Sequence, residues 1–361
     1  MAFRFSMTEA LRLTRSGNLA EATALLKSAL GGGDMRTARP ERAAGDVIDL
    51  VAERVTIEPA QKRPARRAKA APTAPAKPDA PGTFEKLSYR GNAGSIDYRL
   101  YGPVNAAPGM PLVIMLHGCT QSPGDFARGT GMSALADEFG FLVAYPQQDR
   151  AANPQKCWNW FRPGDQKRGR GEPALLASLT SHLIAEHACD AERVYVAGLS
   201  AGGAAAAIMA SEYPDLFAAV GIHSGLACGA AKDVSGAMSA MQRGGGKPAR
   251  AGGVFIPVIT FHGDRDHTVH EVNAQEIVAA ATAAAGRPLK VRTERGQSPA
   301  GRAYSRSLSA DAEGKVLIEQ WTIAGSGHAW SGGAQAGSYT DPRGPDASRE
   351  MLRFFLEHRR A

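Results

Sequence analysis

The sequence predicts an α/β fold: a mostly parallel sheet with helices on both faces. Three observations lead there. Short apolar, β-branched runs recur between residues 84 and 323. Helical runs of ten or more residues fall between several of them. One such run, Val194-Tyr195-Val196-Ala197, passes through Gly198-Leu199-Ser200-Ala201-Gly202 straight into the helix-forming Gly203–Ala210.

The elements follow in order. Phe84–Tyr89 and Ile96–Tyr101 read as an opening antiparallel pair. Pro111–Leu116 is apolar throughout, as a strand buried on both faces must be, with its strand core at Leu112–Leu116. Phe141–Tyr145, Val194–Ala197, Ala218–His223 and Val258–His262 continue the sheet, and Val316–Ile323 is the last strand. Helices are expected over Ala174–His187, Glu271–Ala285 and Ala347–His358. The glycine- and lysine-rich stretch Ala230–Gly253 is expected to cross the active-site edge as a lid or substrate wall.

Residues 83–361 form this large domain, and residues 1–82 differ in character. Thr8–Thr14 reads as a helix, broken at Ser16-Gly17-Asn18. Asn18 then caps a second helix, Leu19–Leu30, with Glu21 placed for a capping box. Leu19, Ala22, Leu25, Leu26 and Ala29 share one face, and Gly31-Gly32-Gly33 ends the helix. Residues 1–33 thus resemble one tetratricopeptide-like hairpin. A single copy cannot bury its apolar face. It must dock on its own domain, on a partner or on an apolar surface, or remain a poorly ordered tail.

Residues 34–82 read as a largely disordered linker, with Pro, Ala and basic residues concentrated in 59–82. Residues 1–82 hold 14 Lys/Arg and 9 Asp/Glu, so of the chain's net +7 only +2 belongs to the domain. The basic balance is therefore a property of the tail. The run Lys62–Lys69 could attract an anionic surface, but its composition is that of a solvated linker, and no nucleic-acid partner is expected. No stretch approaches the length of a membrane span. Met1–Glu9 lacks the basic-then-apolar pattern of a cleavable secretory leader.

A serine between two glycines at a strand-to-helix turn forms a nucleophile elbow. Such a serine needs a general base, and the base needs an orienting acid. On this kind of sheet they come in the order Ser, Asp, His. The strand at 258–262 empties into Gly263-Asp264-Arg265-Asp266, and the strand at 316–323 into Ala324-Gly325-Ser326-Gly327-His328. Ser200, Asp266 and His328 are the resulting candidates, at the strand ends where open α/β sheets bind ligands. Asp264 is the rival acid, read instead as a turn-stabilising residue, and His262 and His267 shape the acid loop. An oxyanion hole requires two backbone N–H groups. Ala201, after the nucleophile, offers one. Cys119, in the His117-Gly118-Cys119-Thr120-Gln121 loop after the early buried strand, offers the other.

Taken together, His117–Gln121, Cys157-Trp158-Asn159-Trp160-Phe161, Val194–Gly203, His262–Asp266, Gly327–Gly333 and Asp341–Ser348 resemble the poly(3-hydroxybutyrate) depolymerase family of esterases, from about residue 83 onward. The family also holds acetylxylan- and feruloyl-type esterases. The resemblance implies an α/β-hydrolase fold and ester hydrolysis through Ser200, Asp266 and His328, with no metal and no organic cofactor. It implies a Cys119–Cys157 disulfide, against the alternative of four reduced thiols, and an extracellular setting, which the missing leader opposes in favour of the cytoplasm. Cys189 and Cys228, expected at opposite ends of the sheet, should not pair. Poly- or oligo-(3-hydroxybutyrate) esters are the first substrate class, and acetyl or feruloyl carbohydrate esters the alternative. A third possibility is a non-catalytic granule- or partner-binding protein using the N-terminal hairpin. Trp330 is expected to face the substrate, and Trp158 and Trp160 to bind it or to pack beneath loops.

Overall fold

The computed structural model describes residues 81–246 and 254–360. The expected hairpin over 1–33 and the linker over 34–82 lie almost wholly outside the described residues.

The chain opens with β1 (Thr83–Gly91) paired antiparallel to β2 (Gly94–Gly102). Then come β3 (Leu112–Leu116), α1 (Pro123–Thr130), α2 (Met132–Phe139), β4 (Leu142–Pro146), a 3-10 turn (Pro163–Gln166), α3 (Gly171–Glu186), β5 (Val194–Leu199) and α4 (Ala201–Glu212). The second half holds β6 (Ala219–His223), α5 (Val234–Arg243), β7 (Val258–Gly263), α6 (Val272–Ala285), β8 (Lys290–Gln297), β9 (Ala303–Ala310), β10 (Val316–Ile323) and α7 (Ala347–Leu356). Two-residue strands β11 (Trp330–Ser331) and β12 (Thr340–Asp341) pair with each other, between β10 and α7 in the chain.

The main sheet runs β1-β2-β4-β3-β5-β6-β7-β10-β9-β8. Its centre, from β4 to β10, is parallel. Both ends are antiparallel. Successive residues of the central strands feed two separate cores, because strand side chains alternate between faces. Leu112, Ile114, Leu116, Val194 and Val196 pack with α3, α4 and α6. Val113, Met115, Tyr195, Ala197 and Leu199 pack with α1, α2 and α7. Covering both faces is what permits an unbroken apolar run such as Leu112–Leu116.

The order of the strands places the site. After β3 the chain turns to one side to make β4, then returns to the other side of β3 to make β5. That reversal opens a crevice at the carboxyl ends of β3 and β5. The His117–Gln121 loop leaves β3 there, and Ser200 leaves β5 beside it.

Two regions differ from the sequence expectation. Strands β8 and β9 were not expected. Lys290–Gln297 is charge-dense and largely exposed, as an outermost strand covered on neither face can be, so it carries no apolar alternation. The stretch expected as a lid contains a helix, α5, which packs on α6. Gln242 of α5 donates to the carbonyls of His267 and Thr268 at 3.2 and 3.3 Å, so this helix buttresses the acid loop.

Candidate active site

Ser200 caps the N-terminus of α4 with φ 58° and ψ −119°. A non-glycine residue there is strained by about 1–3 kcal/mol. Its own N–H donates to the His223 carbonyl at 2.9 Å, which ties the elbow to β6. The flanking glycines are required by close approach. A Cβ on Gly198 would stand 2.3 Å from the Gly202 carbonyl carbon, and one on Gly202 only 2.0 Å from the Leu116 carbonyl oxygen. One glycine lets the turn close on itself, and the other lets it press against β3.

The candidate acid and base stand in the loops that follow neighbouring parallel strands, β7 and β10. His328 Nδ1 lies 2.6 Å from Asp266 Oδ2, and the Asp266 carboxylate has no side-chain exposure. Asp266 Oδ1 accepts the Thr268 and Val269 N–H groups, both at 2.9 Å. Burial alone would raise the Asp266 carboxyl, but the His328 bond and the Val269 N–H outweigh it and hold the pKa below the ordinary carboxylate value. Asp264 does different work: its Oδ1 accepts the Gly325 N–H at 2.6 Å, bracing the loop that carries His328. His262 Nε2 donates to the Val269 carbonyl at 2.7 Å and so shapes the acid loop. The two loops also meet through Arg265 N–H to the Ser326 carbonyl at 3.0 Å.

A residue without a role in the sequence reading, His223, secures this region from below. Its ring stacks between Phe261 and Trp330, with centroids 5.8 and 5.0 Å away. Its Nε2 accepts the Ser331 N–H at 2.9 Å. Burial drives its pKa far down, reinforced by His262 and His328, so the ring stays neutral and remains an acceptor. Asp341 also acquires a role, accepting Ser326 Oγ–H at 3.0 Å and Arg302 Nη2–H at 2.6 Å, which holds the His328 loop to β9 and β12.

The candidate oxyanion loop meets the elbow directly. A Cβ on Gly118 would sit 3.6 Å from Ser200 Cβ. The Gly118 N–H is taken by Gln121 Oε1 at 2.9 Å, which leaves Cys119 as the next amide of the loop. Neither the Cys119 nor the Ala201 N–H has an acceptor among the described residues.

Cys119 is joined to Cys157 by a disulfide. Cys189 lies buried and Cys228 half-buried, and they do not join each other. The bond closes a loop of 38 residues, worth about 4 kcal/mol of loop-closure entropy in the unfolded chain. Cys157→Ser, or reduction by dithiothreitol, is expected to lower chemical stability by about that amount. Denaturant unfolding with and without reductant measures it.

The expected roles of the tryptophans need correction. Trp330 is 1% exposed, meets Phe126 edge-on at 5.4 Å, and donates its Nε1–H to Ser348 Oγ at 3.0 Å. A ring this buried, stacked on His223, met by Phe126 and bonded at its polar tip, does not face a substrate. Trp158 is also buried, and its Nε1–H supports the His117 carbonyl at 3.1 Å; Trp160 is buried in the core. An open aromatic beside this loop is Tyr339, 47% exposed, whose hydroxyl lies 3.3 Å from Thr120 Oγ1 next to Cys119. Both Thr120 and Tyr339 have positive φ, 66° and 53°, the kind of strain that gathers at functional sites. A cavity of about 750 Å³ lies elsewhere, between α4 and α6, and none of Ser200, Asp266, His328 or Cys119 lines it. No group of three or more His, Cys, Asp or Glu residues among those described is arranged to hold a metal ion. No described helix is long and apolar enough to cross a membrane.

Several known proteins are similar to this chain. Poly(3-hydroxyalkanoate) depolymerase C of Paucimonas lemoignei is 34% identical over 249 residues, 66% of this chain and 59% of the relative. Feruloyl esterase B of Thermothelomyces thermophilus is 32% identical over 148 residues, 41% of this chain and 50% of the relative. The chain thus spans about half to three fifths of the length of these relatives. The solved acetyl xylan esterase from Aspergillus awamori superimposes with a TM-score of 0.60 at 19% identity, covering 76% of this chain and all of the other, which supports the α/β-hydrolase fold. The model described as Esterase PHB depolymerase matches residues 96–287, a stretch that contains the Cys119 loop, the Ser200 elbow and Asp266, and by that match the chain belongs to this esterase family.

Proposed function

We propose that the protein hydrolyses carboxylic esters by two-step acyl transfer, with poly- or oligo-(3-hydroxybutyrate) esters as its substrate class. The observation that carries this is the His328–Asp266 pair at 2.6 Å, on the same sheet edge as a serine held at φ 58°. His328 takes the Ser200 proton as Oγ attacks the ester carbonyl. Asp266 fixes the imidazole tautomer and stabilises the imidazolium. The Cys119 and Ala201 N–H groups receive the oxyanion, each backbone donor being worth roughly a hundred- to a thousand-fold in rate. His328 then protonates the departing alkoxide, and water attacks the acyl-enzyme by the same route to release the acid.

The name of the Paucimonas relative supports the polyester class. Tyr339 supplies the open ring that Trp330 cannot. A side-by-side assay with hydroxybutyrate oligomers, acetylated xylan and methyl ferulate tests the assignment. Oligomer kcat/KM at least tenfold above both carbohydrate-type esters is the expected result. The opposite ranking would move the protein to the carbohydrate esters that the feruloyl relative represents.

A further inference from the structure

Three chain segments meet at one carboxylate that the proposed mechanism leaves unused. Glu172, the second residue of α3, accepts Gln148 Nε2–H at 2.5 Å and Asn159 Nδ2–H at 2.6 Å on Oε1. Its Oε2 accepts the Asn159 backbone N–H at 2.7 Å. Gln148 also donates its backbone N–H to His117 Nε2 at 3.1 Å and its Nε2–H to the Cys157 carbonyl at 3.0 Å. The segment held this way carries the disulfide to Cys119 and the Trp158 indole under His117. Two further bonds, Thr120 N–H to the Gln155 carbonyl at 2.7 Å and Lys156 Nζ to the Gln121 carbonyl at 2.9 Å, complete the link.

We propose that Glu172 is a positioning residue for ester hydrolysis, its carboxylate aligning the Cys119 amide with the developing oxyanion through Gln148 and the 157–159 segment. This rests on the assignment of Ser200 and Cys119 made above. Three N–H donors converge on two oxygens, and the ionised carboxylate accepts all three as charge-assisted bonds. A protonated carboxyl keeps acceptor sites but has lost the charge that strengthens these bonds, so it holds the segment less firmly.

Ionisation is unfavourable for the fold. Burial pushes the Glu172 pKa up to about 7, against the pull of the Asn159 and Gln148 donors. Asp165, whose Oδ1 accepts the Glu172 N–H at 2.9 Å, is the ionisable neighbour and raises it further; the groups facing it from the other two segments, Gln148 and Asn159, are neutral. Because the folded value is raised, the stabilising contribution belongs to the neutral form. It is fully present below the ordinary glutamate pKa and is lost as pH rises through about 7. A residue kept for stability alone would not be an acid here, whereas a charge kept at the expense of stability marks a functional site.

Glu172→Gln separates the two roles. Ester turnover is measured from pH 5 to 9 and normalised to serines titrated with a fluorophosphonate, alongside thermal unfolding. The variant is expected to unfold at or above the wild-type temperature at pH 8, with kcat per titrated serine at least tenfold lower and KM within twofold. Unchanged kcat per titrated serine would overturn the proposal, as would a loss confined to stability. Should Glu172→Gln fail to fold, Asp165→Asn decides. It removes a repulsion and should move the acid limb of kcat to lower pH, about doubling activity at pH 6 relative to pH 8. An unmoved limb would refute the role. Ser200→Ala, run in parallel, tests the serine assignment separately, since retained turnover in that variant alone would remove the reading on which this one stands.

Discussion

Ser200→Ala is expected to lose about 10⁶-fold in ester turnover and all fluorophosphonate labelling, with the thermal unfolding temperature little changed. The size of the loss follows from the unit in which Ser200 works. Without the hydroxyl, His328 has no proton to take, Asp266 has no imidazolium to stabilise, and the two amides hold only weak binding of the carbonyl. The fold is indifferent because alanine keeps the Cβ and therefore the same strained backbone at φ 58°. Ser200→Gly removes the Cβ as well and should gain about 1 kcal/mol while remaining inactive. Turnover within a hundredfold of wild type in Ser200→Ala would place the nucleophile elsewhere.

Asp266→Asn is expected to cost about 10⁴-fold in kcat. Asn Oδ1 can continue to accept the Thr268 and Val269 N–H groups, so the loop keeps its shape. The amide nitrogen then faces His328 Nδ1 and makes it an acceptor, which puts the proton on the nitrogen that should receive one from Ser200. Asp264→Asn retains an oxygen for the Gly325 N–H and should cost no more than a few-fold. The pair of variants distinguishes the acid from its rival, and a larger loss at Asp264 would reverse the assignment. Stability should respond to acid in step. The depressed Asp266 pKa gives stability that is present above the ordinary aspartate value and is lost as pH falls through the folded one, a loss the Asn variant should largely lack.

Most of the sheet was legible from local pattern. Leu112–Leu116 and Val316–Ile323 match the expected strands at both ends, because one is apolar throughout and the other lies between polar turns. Strand β8 escaped because an exposed edge imposes no apolar period on the sequence, and β9, between β8 and β10, is mostly half-buried and serine-rich. The Ser200, Asp266 and His328 candidates were readable from their places after strands. The supporting residues were not. Glu172 begins a helix and looks like an ordinary first-turn acid, and His223 ends a buried strand without a motif around it. Trp330 misled for a related reason. Its closeness to His328 in the chain suggested an open ring, but the β11–β12 pairing turns it down onto His223. Sequence distance from a reactive group does not reveal which way a loop rotates its side chains.

The two outermost strands bear on how this protein behaves in a crowd. A bare strand edge invites pairing with the same edge of another copy. Here β1 presents Glu85, Lys86 and Arg90, and β8 presents Lys290, Arg292 and Arg295, along an exposed border. A second molecule aligning its β8 with this one would bring Lys290, Arg292 and Arg295 of each copy together, while Glu294 of each is already paired with its own Arg292 at 2.8 Å. The charged borders of β1 and β8 therefore disfavour continuation of the ten-stranded sheet by another copy.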